Sequence, residues 1–207
     1  TSLTVKDSGT GGKIQATAGW SPLWADGGTV TIESGTLATE KETGQALVFG
    51  QKAACGTLTI KGGVFKTGYV QIGDTGGTTV ITGGAFHDLR VNGDYSKRVT
   101  LSGGTFDTVK RYNGKTIAPT DLLADGYTFV DRETDAEVST SQEAALTNVK
   151  VVSKETANAS ASLTVGETET PYGTFEEALT AAQEQGGTLT LLNKVVLAKQ
   201  VNVNSGT

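Results

Sequence analysis

One short phrase constrains this chain more than anything else in it. Alternating apolar residues, then two small residues, then a bulky apolar one, recur as VTIESGTL at 30–37, LTIKGGVF at 58–65, TVITGGAF at 79–86 and VTLSGGTF at 99–106. The last alternating apolar residue of each copy falls at Ile32, Ile60, Ile81 and Leu101, giving spacings of 28, 21 and 20 residues (60−32, 81−60, 101−81). Such a period marks a solenoid, in which no repeat can bury its apolar side alone and stacked copies share a continuous core. Extrapolated at roughly twenty residues per coil, it predicts about six coils between residues 1 and 115.

Successive side chains of a strand face opposite sides. Val30 and Ile32, Leu58 and Ile60, and Val99 and Leu101 are therefore expected to point inward, and Thr31, Thr59 and Thr100 outward. The glycine pair reads as a corner, since glycine accepts positive φ at no steric cost. Leu37, Phe65, Phe86 and Phe106 then read as inward anchors stacked about 4.8 Å apart. A second strand follows the anchor in YVQIG (69–73), LRVNG (89–93) and VKRYNG (109–114). With Val70, Leu89 and Val109 inward, Gln71, Arg90 and Lys110 form one outward column, a polar to basic ladder.

The expected fold class is mainly β: a right-handed parallel β-helix, or solenoid, with short capping helices and a C-terminal connector or second repeat start. Upstream, SLTVKDSGTGG offers Leu3 and Val5 as inward residues. An open last coil would expose core and unpaired backbone, so APTDLLADGYTFVD reads as a closure: Thr120 caps a helical turn, Leu122 and Leu123 are apolar and Gly126 ends it. The β-helix module is expected over 1–131, and a connector with short strands in NVKVV and ASLTV over 132–170. A helix-capped start of a further β-helical unit is expected over 171–207. Its helix is signalled by Phe175, Ala178, Leu179 and Ala182 at helical spacing, Thr174 with Glu177 spaced as a capping box, and Gly186 as a stop.

Charge narrows the function classes. A net charge of −5 with 17 scattered Lys and Arg does not suit a phosphate backbone, so nucleic acid is excluded as a partner. The single cysteine, Cys55, reads as a small buried hydrophobe, and its pairing with His87 as a catalytic dyad lacks an orienting partner. With one histidine and one cysteine no multi-histidine or thiolate metal site is expected, and the corners do not reproduce the calcium-binding nonapeptide; no cofactor is expected. No signal peptide, anchor or membrane run is present, so no direct membrane insertion is expected. The abrupt start on TSLTV and end on NSGT read as a piece of a longer chain.

The candidate binding residues are Tyr69, Gln71, Arg90, Lys110, Arg111, Tyr112, Trp20 and Trp24. Tyr69, Tyr95 and Tyr112 fall near the ladder with Arg90, Lys110 and Arg111, and Tyr with Arg is the usual make-up of an interface hot spot. Trp20 and Trp24, in GWSPLWADGG, are large enough to anchor a sugar ring or a protein, although coil filling is the expected role of Trp24. For hydrolysis or elimination on a sugar the acids near the repeats are Asp74, Asp88, Asp94 and Asp107. Each also reads as a turn or a solvated corner. No catalytic residue is assigned.

The phrases GTVTIESGTL, GTLTIKGGVF and VTLSGGTF, the closure DLLADGYTFVD and the opening YGTFEEALTAAQEQGGTLTLLNKVVL resemble the large modular β-helical, adhesin-like surface proteins of gut Gram-positive bacteria, the Firmicutes. The resemblance covers most of the chain. It implies a non-catalytic binding module of a repetitive protein, extracellular on the bacterial surface as part of a longer secreted or wall-anchored chain. The partner it implies is a host glycoprotein, a mucin glycan or an immunoglobulin, met through an outer face of the solenoid. A β-helical polysaccharide lyase or glycoside hydrolase fragment, and a structural spacer repeat, are the alternatives. Scaffold alone does not choose among them.

Overall fold

A computed structural model describes the chain except residues 18–19, 52–55, 74–76, 93–97, 113–117, 119–120, 139–144, 194, 196 and 198–207. Cys55, Asp74, Asp94, Tyr95 and Thr120 thus lie outside the described residues. Two compact units divide the chain, Thr1–Val152 and Ser153–Thr207.

The first unit is a parallel β-solenoid. Its first coil carries β1 (Ser2–Val5), β2 (Lys13–Ala16) and β3 (Trp24–Ala25), and its second β4 (Thr29–Ile32), β5 (Thr36–Thr39) and β6 (Gln45–Phe49). The third has β7 (Thr57–Ile60), β8 (Val64–Phe65) and β9 (Tyr69–Ile72), and the fourth β10 (Thr78–Ile81), β11 (Ala85–Phe86) and β12 (Leu89–Val91). The fifth has β13 (Val99–Leu101) and the longer β14 (Thr105–Arg111). Strands β1, β4, β7, β10 and β13 stack as one sheet; β14 runs along the other two columns of strands and joins them. The described residues therefore build five rungs and not the six that a uniform period predicts. The reason is coil length: the first two turns take 27 and 28 residues, and only the next two take 21 and 20 (30−3, 58−30, 79−58, 99−79).

Register follows the alternation. Ile32, Ile60, Ile81 and Leu101 stack directly, all buried. The anchors do the same, with Leu37 on Phe65, Phe65 on Phe86 and Phe86 on Phe106. The last three rings are stacked at 4.7 and 4.9 Å between centroids, close to the strand spacing itself. A polar residue at an inward position of β10 breaks the apolar rule. Thr79 sits between Leu58 and Val99, buried, with no hydrogen-bond partner for its hydroxyl.

The two glycines of the corner serve different ends. The second, Gly63, Gly84 or Gly104, has φ of +93°, +105° or +101°, a conformation side chains disfavour. The first, Gly62, Gly83 or Gly103, has no such φ; a Cβ there would run into the carbonyl oxygen of Glu33, Lys61 or Thr82 in the coil before. In the second coil Ser34 takes that place, and its hydroxyl accepts the Asp7 N–H at 2.8 Å. Asp7 in turn closes the DSGTGG corner, where the backbone N–H of Gly12, with those of Gly9 and Gly11, holds its carboxyl below the ordinary carboxylate range.

The closure forms, and more of the chain takes part in it than 118–131. Leu122 is buried, the Leu101 N–H donates to its carbonyl at 2.7 Å, and Phe129 meets Phe106 edge-on at 6.4 Å. Beyond β15 (Tyr127–Asp131), β16 (Ala145–Ser153) runs antiparallel along β14, from Thr105 opposite Lys150 to Lys110 opposite Ala145. An antiparallel strand satisfies the last parallel edge without extending the coil. At the other end Leu3 and Ile14, in the inward register, are exposed.

In the second unit α1 (Lys154–Ala157) precedes β17 (Ala161–Val165), which pairs antiparallel with both β18 (Thr168–Tyr172) and β19 (Thr188–Leu191). Helix α2 (Phe175–Gln185) has the expected capping box of Thr174 and Glu177 and ends at Gly186, with Ala178 and Ala181 buried. Its continuation into QVNVNSGT lies outside the described residues.

Two substitutions test this packing. Gly103→Ala is expected to lower unfolding free energy by about 1–3 kcal/mol through the clash with Thr82. Thr79→Val, by removing an unsatisfied buried hydroxyl at constant shape, is expected to raise it by about 1 kcal/mol. Urea unfolding midpoints at unchanged m-value read both.

Candidate functional site

The ladder expected from sequence exists in register. On β9, β12 and β14, Gln71 lies beside Arg90 and Arg90 beside Lys110. These positions are outward because Val70, Leu89 and Val109 next to them are fully buried inward residues. The column continues upward through Val48 on β6 to Trp24 on β3. Trp24, set apart from the ladder in the sequence, is thus its far end.

The upper part of the column is closed. Val48 and Gln71 are buried, and the Gln71 side-chain carbonyl accepts from the Gln45 amide at 2.9 Å. The lower part is a charged cluster organised by Asp88, which the sequence places at a solvated corner. Instead its side chain is only 10% exposed. One oxygen, Oδ2, accepts from Arg90 Nε at 2.8 Å and is ion-paired with Lys110 Nζ at 3.0 Å, and the other, Oδ1, is buried without a hydrogen-bond partner. Arg90 also lies over the Tyr69 ring, its guanidinium carbon 3.7 Å from the centroid. The two cations stay in reach of solvent, Arg90 at 24% and Lys110 at 34% exposure. Two cations on one carboxylate leave a local excess of positive charge in a chain of net −5.

Of the remaining candidates, Arg111, Tyr112 and Trp20 lie off the column. Arg111 is not on the outward column: its register partner is Val91, in the inward column of Phe49 and Ile72, and its guanidinium pairs with Asp121 at 2.7 Å. Tyr112, the next residue, is half-buried. Trp20 is 77% exposed, and Trp24, expected to fill the coil, is 42% exposed with its indole N–H donating to Asp26 at 2.6 Å. Asp107 takes His87 at 3.2 Å and Arg132 at 2.6 Å, so of the four acids near the repeats the two that are described, Asp88 and Asp107, are both engaged with basic groups. Alternation itself held two unread signals. If Val109 is inward so is Arg111, and Asp88 shares the outward side with Arg90.

No family model matches the sequence, and neither a curated protein nor a solved structure matches it. Among the described residues no helix is long and apolar enough to cross a membrane.

The cluster predicts its own energetics. Arg90→Ala removes a stacked cation and half the pairing of a buried carboxylate, and is expected to cost about 1–2 kcal/mol in denaturant unfolding. Lys66→Ala, at an exposed position away from the column, is expected to change stability by less than about 0.5 kcal/mol.

Proposed function

We propose that this chain is a non-catalytic binding module that contacts a host glycoprotein through the outer column of its solenoid, as one repeat of a bacterial cell-surface protein. The observation that carries the reading is Arg90, fixed by Asp88 and stacked on Tyr69 while still open to solvent. A guanidinium held this way loses little side-chain entropy on binding. A pure spacer needs charged outer residues for solubility only, and loose lysines serve that purpose. Against the lyase or hydrolase alternative, Asp88 and Asp107 both have basic partners and neither is presented as a free acid. The weak affinity of one module is multiplied when several are joined in one chain.

The test is saturable binding of the purified protein to two panels, intestinal mucin glycoproteins and serum or secretory glycoproteins including immunoglobulins. Binding to a member of either panel, lost on joint Arg90→Ala and Lys110→Ala substitution in a variant whose β circular dichroism is retained, is the expected result. No saturable binding to either panel favours the spacer, and turnover of a polysaccharide favours the enzyme.

A further inference from the structure

We propose that the group this column receives is an oxyanion, a carboxylate or a sulfate ester carried on a glycan, gripped by the terminal nitrogens of Arg90 with Lys110 beside them. The inference rests on the reading of the column as a binding surface and names the chemistry of its ligand.

The donor inventory leads to it. Arginine has five N–H donors, and in Arg90 only the one on Nε is engaged, by Asp88 Oδ2. Among the described residues its two terminal nitrogens make no hydrogen bond or ion pair, yet the plane that carries them is fixed twice, by the Nε bond and by the Tyr69 ring. Their parallel N–H pairs fit the two oxygens of a carboxylate or sulfate better than any neutral sugar hydroxyl. Lys110, one position along the column, is ion-paired with the same Oδ2 at 3.0 Å. Asp88 therefore holds both cations from below by a single atom and does not cover them.

The surroundings agree in sign. The register neighbour of Lys110 on its far side is Ala145, small and uncharged, and that of Arg90 on the other side is Gln71, whose carbonyl is occupied by Gln45. Among the described residues the acids flanking Lys110 in sequence are paired elsewhere, Asp107 with His87 and Arg132, and Asp121 with Arg111. Among the described residues, an incoming anion thus meets two cations and one buried carboxylate. Tyr69, under the guanidinium, gives the rest of the sugar an apolar edge to lie against.

The measurement is titration calorimetry or glycan-array binding of the intact protein against sialylated, sulfated and neutral forms of the same oligosaccharide. The acidic forms are expected to bind and the neutral form not. Arg90→Lys, which keeps the charge for Asp88 and removes the fork, should weaken binding about tenfold or more, whereas Lys66→Ala leaves it unchanged. Comparing the sialylated and sulfated arms separates the two sources of the oxyanion. Equal binding of neutral and acidic forms, still lost in Arg90→Ala, overturns the oxyanion and leaves the binding surface standing. Undiminished binding by Arg90→Lys overturns the fork. Silence of every glycan and of both glycoprotein panels overturns the function on which this rests.

Discussion

Everything in the solenoid depends on how closely one coil can lie on the next. Parallel strands about 4.8 Å apart leave no room at the corner for a side chain aimed at the preceding coil. Carbonyls of that coil, at Glu33, Lys61 and Thr82, stand where a Cβ would be. The glycine pair is the residue-level solution: one glycine makes room and the other makes the turn. Once the corners close, register is fixed, the anchoring phenylalanines stack at the strand spacing, and outward residues of successive coils line up without further instruction. The charged column is a consequence of that stacking, since Asp88 and Lys110 are sequence-distant residues brought to 3.0 Å by one turn of the coil.

Much of this architecture was legible in the sequence because its signals are local and repeated. Alternation named the inward and outward residues of β4, β7 and β13, the capping box named the start of α2, and the second strand of each coil placed Gln71, Arg90 and Lys110 together. Where the reading departed from the structure, the cause is non-local. Coil number depends on the lengths of excursions between strands, and the first two are long. The role of 145–150 as the strand that closes β14 is set by a partner some forty residues away, and no local pattern announces it. Glycine at the first corner position looks like a turn residue from sequence, yet the reason it is needed stands in the neighbouring coil.

The site was legible in outline and not in its electrostatics. Gln71, read as an exposed rung of the ladder, is buried, because Gln45 bonds to it across the coils at a position where β6 departs from regular register. Asp88 looked like a solvated corner residue, and burial under two cations makes it the organiser of the cluster. Trp24 and the ladder looked unrelated, since the long second coil hides their shared register. What distinguishes this face from any polar solenoid surface is therefore the fixing of Arg90 by Asp88 and Tyr69, a property of three residues and two coils.

The most direct test of that claim is to follow backbone amides and the Arg90 Nε–H by nuclear magnetic resonance while a bound glycoprotein or its released glycans are titrated in. The account predicts shifts concentrated at Tyr69, Asp88, Arg90 and Lys110, with the Arg90 side-chain signal moving most. Shifts centred on Trp20 or on α2, with this cluster silent, would contradict it.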